Sequence, residues 1–392
     1  MTGSRGIFGG VIVLYFIIAL EVLIMISPFA AFFYAAFNPV LLFFAQWPAT
    51  RWLAAFFLPH MVLPPGLFLQ AVRIAGSVLF VAGAIIFLVC AAQVYFHKFF
   101  RRGPALGGLY RWIRHPQYLA LGATGLGLAI LWPRFLTIVL WAIMVGLYYL
   151  LARDEERRMV NQFGKRYRQY MSRTGMFLPR GLARAVDRLP VRKSPMLRPL
   201  LGFVLLMVVA VTGAFALRAY TIARLPLWSK GRITVMAILP GDSIMLENRM
   251  GAVLELPQVK SRLDQSSVPI LCYLVPQNYV MQGMIADTGV EWRLYEDHQT
   301  LAMIADWIFH PFRHLQGGHV MTHHAIGGTV RRLIFLRIDS PRLENTRAFI
   351  FGITTNRFPL FFADVDMHNL VLLDIHTLGP GTGWGRVPTP MF

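Results

Sequence analysis

Apolar runs long enough to cross a lipid bilayer recur along this chain, and they constrain its fold more than any other feature. A helical span needs about 20 predominantly apolar residues. Residues 7–37 and 74–96 reach that length and 199–217 comes close, while 117–132 and 135–152 are a shorter pair separated by Pro133 and Arg134. Only 15% of the 392 residues are charged, against about 25% in soluble domains. The expected fold class is a polytopic α-helical membrane protein of about five spans. The first run is too long for a signal peptide and lacks a clear cleavage site. It carries Glu21, an ionisable group in lipid that serves either function or a structural polar contact. Residues 40–58 are broken by Gln46, Pro48 and Arg51 and read as an interfacial or re-entrant segment anchored by Trp47, Trp52, Phe56 and Phe57.

The positive charge is localised. Residues 97–116 hold five Lys or Arg and no carboxylate, and residues 153–198 hold thirteen against four. Residues 218–392 are nearly balanced, with sixteen against fourteen. A nucleic-acid binder would spread a basic face over a folded domain; here the cations flank apolar spans, so no nucleic-acid partner is expected. The positive-inside pattern places both basic stretches and the N-terminus in the cytoplasm, with contact to anionic lipid as a secondary use of the charge. The last span then carries residues 218–392 out of the cytoplasm, into the periplasm if the membrane is a bacterial inner membrane. Short β-like runs recur there, at Ile233–Leu239, Val268–Val275, Arg332–Ile338, Ala348–Thr354 and Leu370–Ile375, and Gln299–Leu315 has helical character. The expectation is a C-terminal extracytoplasmic domain of α+β or mainly β type. The two cysteines, Cys90 and Cys272, provide no disulfide framework.

Chemistry is concentrated in one ordered set of motifs. Arg114-His115-Pro116-Gln117-Tyr118 opens the short apolar pair. Glu155-Glu156 follows the second run, and Phe163-Gly164, Tyr167, Tyr170 and Pro179 complete the series. This set resembles the isoprenylcysteine carboxyl methyltransferase and phospholipid methyltransferase family of integral membrane enzymes that use S-adenosylmethionine (SAM), over roughly residues 70–180. The resemblance implies that His115, Tyr118 and Glu156 contact the cofactor, with Glu155 beside them; Pro116, Gly122 and Gly125 are further candidates for the binding region by their place on the same helix. It gives Arg114 and Glu155 catalytic roles, Arg114 ordering the loop or meeting an acidic group. One departure is Ala120, where the family often has glycine. The residue chemistry agrees: a carboxylate suits ribose hydroxyls, cations suit the amino-acid end, and a tight antiparallel hairpin would bring the two motifs together. Tyr118, Gly122 and Gly125 share a helix face, either as a ligand groove or as helix packing between small residues.

These readings divide the chain into an N-terminal span and interfacial segment (1–66), a methyltransferase-like core (67–185), a linker and last span (186–217) and the outer domain (218–392). The implied function is SAM-dependent methyl transfer to a lipid-like or membrane-embedded substrate. A non-catalytic methyltransferase-like subunit, docked to other membrane subunits through the outer domain, stays open. So does a sterol-type reductase, which shares a His-Pro-x-Tyr element but not the Glu-Glu pair. His310, His314, His319, His323 and His324 cluster in sequence without a defined ligand set, so no metal is expected.

Overall fold

The computed structural model describes residues 43–58 (Ala45 apart), 66–182, 197–279, 328–339 and 346–378, with Gln282, Ile285, Ala286 and Thr288. The 7–37 run with Glu21, the Gln299–Leu315 segment and the histidine cluster lie outside the described residues. The helices are α1 (Arg51–Ala54), α2 (Leu67–Phe99), α3 (Pro116–Leu131), α4 (Phe135–Arg173) and α5 (Leu197–Arg224), followed by an α/β region. Among the described residues α2, α4 and α5 are long and apolar enough to cross a membrane, and α3 is a shorter apolar helix. The chain forms two compact units. The described residues of 75–132 and 136–212 make up one, and those of 39–74, 133–135 and 213–392 the other.

In the first unit, backbone contact between helices is very close. A Cβ on Gly127 of α3 would lie 2.4 Å from the Phe80 amide nitrogen of α2, and one on Gly83 would lie 2.8 Å from the Ala120 carbonyl oxygen. Small residues allow this approach, which gains dispersion where apolar lipid gives no hydrophobic drive between helices. On another side, α3 meets α4: Tyr118 stacks on Tyr148 at 5.1 Å between centroids, and the Trp141 indole donates to the Gly122 carbonyl at 2.8 Å. The face bearing Tyr118 and Gly122 thus packs against a neighbouring helix. α4 continues well past the apolar run through the polar stretch, and bends at Gly164, whose φ of 55° an L side chain disfavours.

The second unit contains a six-stranded sheet in sequence order: β1 (Leu227–Lys230), β2 (Ile233–Ala237), β3 (Ile270–Pro276), β4 (Val330–Asp339), β5 (Asn356–Asp366) and β6 (Val371–Thr377). Every pairing is antiparallel except β2 with β3. That parallel step needs a crossover, supplied by α6 (Ser243–Leu254) and α7 (Pro257–Asp264). Alternate residues Val235, Ala237, Cys272, Leu274, Leu333, Phe335, Phe361 and Ala363 line one face, and Leu246, Met250, Val253, Val259 and Leu263 of the two helices pack on it. Leu271, Tyr273 and Ile334, whose side chains alternate with these along β3 and β4, are also fully buried. Burial on both faces explains why these strands read as continuous apolar runs rather than alternations. The Ala348–Thr354 run is not a strand; it begins as the single helical turn α8 (Arg347–Ile350) and leads into β5, which the apolar pattern alone did not reveal.

Adjacent arginines on β4 point to opposite faces, and each finds a buried aspartate. Arg331 binds Asp242 through Nε and Nη2 at 2.9 and 3.0 Å, and Arg332 grips its cross-strand partner Asp364 with two bonds of 2.7 Å. Gln282 accepts from Arg332 and Gln277 donates to Asp364, both at 3.0 Å. The Arg332 guanidinium lies 4.0 Å above the Phe362 ring.

The same unit also folds residues 51–58 against the α3–α4 turn. Phe57 donates to the Pro133 carbonyl at 2.8 Å, and Phe135 donates to that of Ala55 at 3.0 Å. Arg134, fully buried, donates to the Ala54 carbonyl and stacks 4.0 Å over Phe56, while Arg218 donates to the carbonyls of Phe56 and Phe351. Trp47 is exposed, but Phe56 and Phe57 are buried in protein rather than set at a lipid interface. Their backbone pairs with the turn, and that pairing takes their rings inside with it.

Candidate cofactor site

The site is assembled by the α3–α4 hairpin. Pro116 occupies the first turn of α3, where its missing N–H costs nothing, and His115 is the residue before it. Glu155 and Glu156 lie about 30 Å along α4 at 1.5 Å per residue, while α3 has 16 residues, or about 24 Å. The antiparallel return therefore brings the pair level with His115.

A chain of charged contacts results. Arg114 Nε donates to Glu156 Oε1 at 2.5 Å, and His115 Nε2 is 3.3 Å from the same oxygen. On the other side of the imidazole, Nδ1 is 3.5 Å from Glu155 Oε2, and the Tyr118 hydroxyl donates to that oxygen at 3.4 Å. His115 is 1% exposed and its Nδ1 is buried without a hydrogen-bond partner. Glu156 is 7% exposed, whereas the Glu155 side chain is 36% exposed. Burial opposes charge on the imidazole, but the two carboxylates prevail and raise the His115 pKa above its ordinary value. With a carboxylate facing each ring nitrogen, the imidazolium is the favoured form.

The segment after the Gly164 bend closes one side. Arg114 Nη1 donates to the carbonyls of Met171, at 3.3 Å, and Thr174, near the C-terminal end of α4. Main-chain bonds run alongside, from Arg114 N to Gly175 O at 2.9 Å and from His115 N to Met176 O at 3.2 Å. Tyr170 donates to the Tyr110 carbonyl at 2.6 Å, Tyr167 is buried, and Phe177 lies 6.0 Å from the His115 ring. Burial pushes the Tyr110 phenol up, with Cys90 and Glu155 adding to the shift, so it stays protonated.

Residues 67–166 match the family model for phospholipid methyltransferase. The match spans about a quarter of the chain and takes in every charged member of the cluster. It is the family the motif set resembles, and it supports a membrane methyltransferase; phospholipid methyltransferases generally use SAM. No curated protein and no solved structure matches the chain.

Of the residues singled out from sequence, Arg114, His115, Tyr118, Glu155 and Glu156 come together, with Pro116 starting the helix that carries Tyr118. Gly122 is one turn further along, against α4 at 3.8 Å from Val145 for a built Cβ, and Gly125 is buried in α3. Tyr148 and Phe177 join the aromatic wall and were not anticipated. Tyr148 is four turns into an unbroken apolar run, where nothing marks one aromatic ring as facing a site. Among the described residues no group of three or more His, Cys, Asp or Glu is arranged to hold a metal.

Proposed function

We propose that the protein is a SAM-dependent membrane methyltransferase acting on a lipid-like acceptor held in the bilayer. One observation carries this reading: two motifs 41 residues apart, His115 and Glu156, meet in a single buried cluster of opposite charges. Buried ion pairs also hold the sheet, so the reading rests on this cluster lying within the matched family segment and on its order in the sequence. The fit to SAM rests on the donor set. Glu156 offers carboxylate oxygens to ribose hydroxyls, and Arg114 and His115 offer cations to a carboxylate. The stacked rings of Tyr118 and Tyr148 and the Phe177 ring offer flat apolar surface to a purine.

SAM supplies a methyl group activated on a sulfonium. The chain's part is to align an acceptor in line with that carbon and to exclude water. Arg114 and His115 fix the Glu156 carboxylate, and the Arg114 bonds to Met171 and Thr174 hold the closing segment over the cluster. Glu155, the more exposed carboxylate, is placed to accept a proton from an incoming acceptor. Titration calorimetry of SAM into the detergent-solubilised chain tests the reading, with transfer of labelled methyl to a membrane lipid extract as its second arm. Absence of heat and of label in a monodisperse sample would overturn it.

The orientation proposed for the core follows from the basic stretches. A reporter fused after residue 185 should be cytoplasmic and one fused after residue 300 extracytoplasmic. Reporters found on the same side would mean that the last span does not cross, and the placement of the sheet region would be lost with it.

A further inference from the structure

α2 has 33 residues, about 50 Å of helix, against a hydrocarbon core of about 30 Å. Its C-terminal end therefore reaches into the headgroup region if the rest spans, and what it carries there is unusual. The helix stops in a Schellman turn, Arg102 N bonding to His97 O at 3.0 Å and Arg101 N to Lys98 O at 3.3 Å. The left-handed position of that turn, where glycine is preferred, is held by Arg101 with φ 51°. An L side chain is disfavoured in that conformation. Arg102 lies 5.0 and 5.8 Å over the rings of Phe96 and Phe100. The chain then folds back along the helix, pinned by the bond from Gln93 Nε2 to the Gly107 carbonyl at 3.0 Å. A short 3-10 turn (Gly108–Arg111) follows and ends on exposed Arg111 and on Trp112, which is 68% exposed.

We propose that Arg101 and Arg102 at the end of α2, and Arg111 with Trp112 on the segment that folds back along it, bind anionic phospholipid headgroups. The guanidiniums pair with headgroup phosphate, and the indole sits at the boundary between headgroups and acyl chains, where tryptophan is enriched. Residues 97–116 contain no carboxylate to compete. Arginines at this end of a helix also complement its dipole, but that accounts for neither the left-handed Arg101 nor a large exposed indole. The proposal rests on insertion into a bilayer and not on methyl transfer, so loss of SAM binding leaves it standing.

The full chain is reconstituted into nanodiscs holding equal phosphatidylglycerol and phosphatidylcholine, and the lipids it retains are counted by native mass spectrometry. Retained phosphatidylglycerol should exceed phosphatidylcholine by at least about fivefold, the contribution of a single basic residue near the surface. The preference should shrink with salt. Arg101→Gln/Arg102→Gln/Arg111→Gln should bring the ratio near one, and Arg111→Gln alone should lower it. Lys230→Gln/Lys260→Gln, exposed and paired with Glu255 beside the sheet, should leave it unchanged. Equal retention of the two lipids by the native chain, or a preference that survives the triple substitution, would overturn the proposal. Displacement of the bound lipid by inorganic phosphate at low millimolar concentration would overturn it as well, in favour of a soluble anion.

Discussion

Glu156→Gln should weaken SAM binding by roughly ten- to a hundredfold while the protein remains inserted and monodisperse. The substitution keeps the shape of the side chain and removes its charge, so the acceptor that Arg114 and His115 share becomes a neutral amide. A hydrogen bond to a charged group contributes about 1.5–3 kcal/mol, which is that range of affinity. Arg157→Gln, one residue along and exposed, is the control and should bind as the native chain does. Calorimetric affinities equal to native in the Glu156→Gln chain would remove the residue from the cofactor site.

The same cluster has a pH signature. The His115 pKa is raised in the folded protein, so its ion pairs contribute fully below the unfolded value of about 6.5. That contribution fades as pH rises through the higher folded value. Melting temperature measured across this interval should fall with rising pH in the native chain. His115→Gln should flatten that part of the curve, because glutamine does not titrate.

Asp364→Ala should destabilise the sheet by about 3–5 kcal/mol, the cost of breaking a buried ion pair from one side. Arg332 would lose both of its 2.7 Å bonds while staying 7% exposed over Phe362, with Gln282 as a remaining acceptor. Truncating both partners to apolar residues of similar volume, Arg332→Met/Asp364→Leu, should recover most of the loss, since no unpaired charge then remains. Chemical unfolding followed by the β-sheet signal measures the two chains. A single variant as stable as native would mean that water or rearrangement already compensates the arginine. Removal of the exposed Glu255 carboxylate, shared by Lys230 and Lys260, should change stability little, because solvent screens such pairs.

What the sequence determined by itself was whatever is encoded locally. Apolar length marked α2 and α5, and a shorter apolar pair broken at Pro133-Arg134 marked α3 and the start of α4, because each depends only on consecutive residues. The order of the Arg-His-Pro-x-Tyr element and the Glu-Glu pair sufficed for the resemblance, and the hairpin between them sufficed to expect their meeting. Strands β2, β3, β4 and β6 were legible as apolar runs for the same reason. Tertiary structure decided everything that depends on which faces meet. It buried Phe56 and Phe57 by pairing their backbone with the α3–α4 turn, and it set Gly122 under the Trp141 indole. It turned Arg331 and Arg332, two consecutive cations in an apolar strand, into buried partners of Asp242 and Asp364, 89 and 32 residues away. A charge pattern read along the chain cannot anticipate such pairs, because β pairing fixes cross-strand neighbours by register and not by sequence distance.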